Sequence, residues 1–357
     1  MSATGGGGQQ NVSLVNAANS STFSIMVVTG LLASALIRLT NIRVAFVIGT
    51  LGYPTYAAAL YVHGKYGTEW FIILGAVLSG TTAGAFWSVE GAVVISYPER
   101  AKQGIYVAYW LMHRMMGQMM GGAINLGLNA KAKGAGSLSS ETYIVFVVLQ
   151  CLSPVIALLL SLPKQVQRRN GTPVHIALKP SAWEELKATL RYLVRPKVLL
   201  LLPLISQTTF SEAIISTYTG GRFSVRGRAL ASFLSAIVAC IANYLLGFFL
   251  DRSSMTMNLR AKLGFGIVYT LQLGWWIFAI VMMNRYNGVH DAIDWTEGRF
   301  SALFALCLML QMGLNMMYEY TYWLAGAISK DPGESTRLPS IIRAAESAGQ
   351  AASYGMK

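Results

Sequence analysis

Acidic residues are scarce in this chain, with 15 aspartates and glutamates set against 28 lysines and arginines. All charged residues together make up only 12% of the sequence, roughly half the share carried by soluble domains. That scarcity, with 54% hydrophobic residues and a mean hydropathy of +0.47, excludes an ordinary soluble enzyme and describes a polytopic membrane protein. Histidine and cysteine are few as well. His63, His113, His175 and His290 stand at no ligand spacing, so a metal hydrolase is excluded. Cys151, Cys240 and Cys307 all fall within apolar runs, which argues against a disulfide framework or a zinc site and for packed or lipid-facing thiols. The opening GGGGQQ has no strand before it and no Lys-Ser/Thr after it, so it is no phosphate loop. No enzyme activity, metal or cofactor is expected.

The net charge of +13 would suggest a nucleic-acid partner in a soluble protein. Here the bases cluster in short connectors between apolar runs, so the partner they indicate is the lipid bilayer and not nucleic acid. The polar start MSATGGGGQQNVSLVNAANSS lacks the basic opening and short apolar core of a signal peptide, and insertion is expected to rely on the spans themselves.

A spanning helix needs about 20 mainly apolar residues. Such runs fall at 22–39, 43–62, 70–97, 104–128, 142–162, 197–219, 229–250, 263–283 and 300–327. These make nine spans, and a partial tenth begins near Leu338, too close to the end to cross. Alternate connectors hold eighteen bases on one side, Arg343 counted among them, and eight on the other. The richer side is expected to be cytoplasmic, which places the amino terminus outside. The sequons at Asn11 and Asn19 agree, whereas that at Asn170 falls on the cytoplasmic side. The expected division is a polar segment 1–21, a first bundle 22–162, a linker 163–196 and a second bundle 197–357. Within the linker, Trp183, Leu186, Leu190 and Leu193 share one side of a helical stretch that should lie along the inner surface.

The second half contains GFFLDRSSMTMNLRAK, in which Gly247, Asp251 and Arg252 end one span and Arg260 precedes the next. This resembles the Gly-x-x-x-Asp-Arg signature that major facilitator superfamily transporters place between the second and third helices of each half. The equivalent first-half turn is SALIRLTNIR, with Ser34 in place of the Gly, Arg38 in place of the Asp and Arg43 as the trailing base. More narrowly, the chain resembles the fungal branch of the uncoordinated-ninety-three-like membrane proteins. The resembling residues are GGGGQ with Asn16 and Ala17, Gly49-x-x-Gly52-Tyr53, Trp87-x-x-x-Gly91, Ser96-Tyr97-Pro98, Gly117 and Gly121, Arg226-x-Arg228-Ala229-Leu230, and the Gly247 turn. The resemblance implies an all-α, two-bundle, major-facilitator-like fold in which bundles rock around a central site. It also makes the first span the family's second helix and the tenth its eleventh, so the chain is expected to be cut short at both ends. Glu90 and Arg114 depart from the family pattern, where an amide is usual.

A charge at bilayer depth must be paired, protonated or turned toward water. Glu90 lies about 12 Å and Arg114 about 15 Å from the cytoplasmic ends of adjacent antiparallel spans at 1.5 Å per residue, so an ion pair between them is expected, serving either as a clamp or as part of a cavity. His113 projects away from Arg114 and is the kind of lone histidine that usually packs or hydrogen-bonds. Glu212 and Gln207 lie in the unusually polar SQTTFSEAIISTY and are candidates, with Glu90 and Arg114, for a substrate or proton site. Glu319, among Tyr318, Tyr320, Tyr322 and Trp323, reads as a snorkelling acid in an aromatic belt. The bases Arg222, Arg226 and Arg228 are expected to cap or to pair with headgroups or with Asp291, Asp294 and Glu297, and Asp251 with Arg252 to act in their turn, where the Asp and nearby bases from the other half would latch the inward-closed state. The expected function is transport of a small polar solute, driven by a proton or by its own gradient. The alternative is an accessory or trafficking subunit for a partner membrane protein such as an ion channel or receptor.

Overall fold

Lipid offers a bare amide no partner, so apolar runs of bilayer length satisfy every N–H and C=O within their own segment as helices. A computed structural model describes residues 12–129, 140–168, 171–286, 292–329 and 331–356. The glycine-rich opening, the Asn11 and Asn170 sequons, Lys131, Lys133, Arg169, His290, Asp291 and Lys330 lie outside the described residues. The helices are α1 (Val12–Leu39), α2 (Ile42–Thr50), α3 (Gly52–Tyr66), α4 (Glu69–Ser96), α5 (Gln103–Asn129), α6 (Ser140–Cys151), α7 (Ser153–Ala157), α8 (Ala182–Leu193), α9 (Pro196–Leu199), α10 (Leu202–Arg222), α11 (Val225–Leu250), α12 (Met257–Arg285), α13 (Phe300–Ile328) and α14 (Glu334–Gly355). Among the described residues no strand forms, only isolated bridges joining Gln167 to Pro173 and Phe223 to Ile293.

Eight rods are long and apolar enough to cross a membrane, with α2 and α3, α6 and α7, and α9 and α10 each counting as one. Helices α5 and α14 are of similar length but more polar. The breaks follow local chemistry. Pro154 and Pro203 stand in the first turns of α7 and α10, where a missing amide N–H costs nothing. Asn41, Ser224 and Thr256 cap α2, α11 and α12 by accepting the amides of Val44, Gly227 and Leu259 at 2.9, 3.1 and 3.4 Å. Gly67, with φ of 71°, takes the left-handed conformation that ends α3.

Helices α1–α7 form one bundle and α9–α14 the other, joined where α5 runs along α11 and α1 along α14. Glycine permits the close approaches within this frame. A Cβ at Gly84 of α4 would lie 2.6 Å from the backbone nitrogen of Gly30 in α1.

Three expectations are corrected. Helix α1 begins at Val12, well before residue 22, and the Asn19 side chain is buried inside it, accepting from the Tyr56 hydroxyl at 3.1 Å. Asn19 is therefore a helix-packing residue, not an exposed glycan acceptor. The tenth segment is a complete rod: α14 has 22 residues, about 33 Å at 1.5 Å per residue. It was hidden because it is enclosed by α1, α4 and α10 and needs no apolar surface. Arg343 consequently is no connector base but a buried residue of α14.

The linker helix α8 buries Glu185, Thr189 and Tyr192 and leaves Trp183 and Leu190 exposed. Its polar face grips the protein: Glu185 accepts from Arg337 of α14 at 2.7 and 2.8 Å, and Thr189 shares a hydrogen bond with Ser34 of α1 at 2.8 Å. At the opposite end of the bundle, Arg226 pairs with Asp294, which also accepts from Ser224 at 2.8 Å. The Arg226 guanidinium, with the Ser224 and Thr296 hydroxyls, holds the Asp294 carboxyl well below the ordinary aspartate range.

Replacing Gly84 by valine should push α1 from α4 and lower the thermal unfolding temperature of the purified protein by several degrees, as overpacking by about 1–3 kcal/mol does. Gly117→Ala, with nothing within 4 Å of the added carbon, should leave it unchanged. Because the Asp294 value is depressed in the native state, its contribution is complete above the ordinary aspartate value of about 3.9 and fades as pH falls through the lower native one. The stability difference between the native protein and Asp294→Asn, followed by thermal unfolding, should thus stay flat from about pH 7 to about pH 5 and narrow only below about pH 4.

Candidate functional site

Between the two bundles lies a cavity of about 560 Å³. Its walls come from α1, α3, α4, α5 and α6 of one bundle and from α10, α11, α13 and α14 of the other. The lining runs from the end opposite the linker down to a floor of Trp87, Arg114, Tyr318 and Arg343, just past the helix midpoints. Phe23, Met26, Met115 and Phe146 make apolar walls, while Glu212, Gln311 and Gln350 turn polar groups inward.

One continuous polar chain crosses this region. Gln350 donates to Glu212 of α10 and accepts from Arg343. Arg343 also bonds Ser347 and pairs with Glu346, both at 3.1 Å, and Glu346 accepts from the Tyr318 hydroxyl of α13 at 2.9 Å. Arg343 and Glu346 thereby match charge inside the bundle and Glu212 is held by the Gln350 amide, since a buried charge needs a partner or hydrogen bonds.

Of the four substrate- or proton-site candidates, Arg114 and Glu212 line the cavity and Glu90 and Gln207 do not. Glu90 forms no ion pair with Arg114; its carboxylate accepts from Trp110 Nε1 at 3.3 Å. Register explains the difference. Glu90 lies six residues from the end of α4 and Trp110 seven from the start of α5, whereas Arg114 lies eleven in, about one helical turn too deep. Gln207 is exposed on the outer face of α10, since five residues separate it from Glu212, about 140° around a helix. His113 faces outward, bonding the Tyr109 carbonyl through Nδ1 at 2.8 Å. Glu319 is not a snorkelling acid. It is fully buried, neither carboxylate oxygen has a hydrogen-bond partner among the described residues, and Oε1 lies 2.8 Å from where a Cβ on Gly247 would sit.

Sequence reading missed Arg343, Glu346 and Gln350 because the helix bearing them was discounted. Their spacing of three, four and seven residues is one helix face, and that signal was present.

Asp251 lies beyond the end of α11 and reaches the other bundle. Its two oxygens accept the amides of Gly104 and Ile105 at 2.8 and 2.7 Å. These are orphan donors of the first turn of α5, where the helix dipole also favours a carboxylate. Burial raises the Asp251 carboxyl above its ordinary value, and the two amides and Arg260 oppose that rise. The partner is thus a helix end, not a base from the other half. Gly247 lets the helices meet: a Cβ there would lie 2.8 Å from that of Ala108 and 2.9 Å from the Gly104 carbonyl. Arg252 stays exposed and bonds Ser254 at 3.1 Å. In the first half Arg38, standing where the signature has Asp, donates to the carbonyls of Lys179 and Pro180 in the linker.

The family model for the ion channel regulatory protein UNC-93 matches residues 17–221. Notoamide biosynthesis cluster protein O' of Aspergillus versicolor is 41% identical over 358 residues, covering 100% of this chain and 78% of that protein. The chain belongs to the UNC-93 family. An UNC93-like protein of Schizosaccharomyces pombe is 27% identical over 365 residues, covering 100% of this chain and 72% of its own. Among solved structures, the major facilitator superfamily proton:xylose symporter XylE from E. coli superposes with a TM-score of 0.65 at 12% identity, over 97% of this chain and 80% of that one. At that identity the likeness speaks for the fold alone. The UNC-93 chain is therefore a multi-pass membrane protein built on the major facilitator architecture. Among the described residues no group of three or more His, Cys, Asp or Glu stands close enough together to hold a metal ion.

Replacing Asp251 by alanine should free the two amides it holds, so hydrogen exchange of the peptide spanning Gly104 and Ile105 should quicken in the detergent-purified protein. Unchanged exchange there would show that the carboxylate does not hold the α5 start.

Proposed function

We propose that this UNC-93 family protein carries a small polar solute across its membrane by alternating access. The observation that carries this reading is the cavity itself, walled by both bundles at mid-depth, reaching toward one end and closed at the other. Closure at the linker end includes polar contacts between the bundles or through the linker: Asp251 on α5, Arg100 on the Ser329 carbonyl, and Glu185 on Arg337. These are polar bonds at element ends, which can break and reform as rigid bundles rock. A buried apolar layer at the same end, with Val94 and Leu111 of one bundle against Tyr322 and Ile341 of the other, would part with them. A volume of about 560 Å³ suits a small organic molecule.

An accessory role toward a partner membrane protein is favoured by one observation, the exposed Gln207 on the outer face of α10, since a polar group in lipid invites a partner helix. It leaves the enclosed polar chain without a purpose.

Uptake of a metabolite panel into proteoliposomes tests the proposal. At least one solute should accumulate over protein-free vesicles, and Glu212→Gln should lower its uptake about tenfold, as loss of a charge-assisted hydrogen bond does. No uptake of any solute across a broad panel would favour the accessory reading.

A further inference from the structure

We infer that Arg114 anchors an anionic group, and that the solute of this cavity is a small organic carboxylate with an apolar body. The inference rests on the cavity being a solute site, as proposed above.

The other charged groups at the floor are already committed to the protein. Arg343 bonds Glu346, Ser347 and Gln350; Glu346 accepts from Tyr318; Glu212 accepts from Gln350; Glu90 accepts from Trp110. Arg114 differs. Its guanidinium lies over the Trp87 ring at 4.9 Å and the Tyr318 ring at 5.0 Å, and among the described residues it makes no hydrogen bond and no ion pair. Contact with aromatic faces stabilises the cation but uses none of its donors, since all five N–H groups lie in the guanidinium plane. The guanidinium cannot shed its proton, and it lines the cavity floor where an incoming group can meet those donors.

The arrangement selects chemistry. A carboxylate offers two coplanar oxygens that match two parallel guanidinium N–H groups, the bidentate geometry that is both stronger and more directional than a single contact. Glu90 and Glu346 lie within electrostatic reach of Arg114 without bonding it; a cationic solute would meet Arg114 and Arg343 together at the floor, and a neutral one would leave the Arg114 donors without an anionic partner. The two rings hold the guanidinium in place before the ligand arrives, so little side-chain freedom is lost on binding. Above the floor Phe23, Met115 and Phe146 offer apolar surface suited to the body of the ligand, and the Glu212 carboxylate, held by Gln350, disfavours a second negative charge there.

Benzoate, benzamide and benzamidinium share size and shape and differ in charge, so they read the site directly. Thermal unfolding of the full chain in detergent should shift upward with benzoate and not with benzamide or benzamidinium. Arg114→Gln should bind benzoate about tenfold more weakly, and Arg114→Lys, which keeps the charge but not the fork, should fall between. Ligand-free unfolding of both variants near the native temperature shows that the fold is intact. An equal shift with benzamide or benzamidinium, no shift with benzoate, or an unchanged benzoate response in Arg114→Gln would overturn the inference. Because binding is read without a bilayer, absence of transport leaves a positive result standing and rejects only the carrier reading. Uptake of a neutral solute indifferent to Arg114→Gln would reject the carboxylate and leave the carrier.

Discussion

The structure depends on the enclosure of α14. This helix carries Arg343, Glu346 and Gln350 at a depth where an unmatched charge costs several kcal/mol. It is tolerable only because α10 supplies Glu212, α13 supplies Tyr318, and Ser347 lies one turn along. Those bonds tie α14 to two neighbours, while α1 and α4 cover its remaining faces. The same constraint creates the cavity. Helices satisfying buried polar groups must face one another across a space instead of turning those groups to lipid, and the space between them is the site.

Closure at the linker end is asymmetric. In the second half a carboxylate at a helix-ending turn captures two unpaired amides of α5, a bond made between bundles without any base. In the first half arginine replaces that carboxylate, and the linker takes over its work. Arg38 holds the linker by its carbonyls, and Glu185 of the linker holds the start of α14 through Arg337. The two halves thus use different chemistry for the same task. Glu319, buried beside Gly247 without a hydrogen-bond partner among the described residues, sits at the crossing that the Asp251 contact closes.

Much of the frame was legible in the chain. The apolar runs located nine of the rods, α5 among them, and Gly247 with Asp251 marked the turn that joins the bundles. The site was less legible, for two physical reasons. Span reading detects surfaces that face lipid, so a rod enclosed on all sides, as α14 is, looks like no span at all. Depth counted from approximate helix ends carries an error of a few residues, and one turn suffices to replace Arg114 by Trp110 as the neighbour of Glu90.

The sequence by itself determined that the chain is a helical membrane bundle with a cross-bundle turn, because hydrophobic length, proline placement and the Asp251 signature are local properties. Only the tertiary structure decided which polar residues share the cavity. Glu212 faces inward and Gln207 outward, and Arg114 is held by rings while Arg343 is held by Glu346, Ser347 and Gln350, because those outcomes depend on helix rotation and axial register set by packing partners far away in the chain.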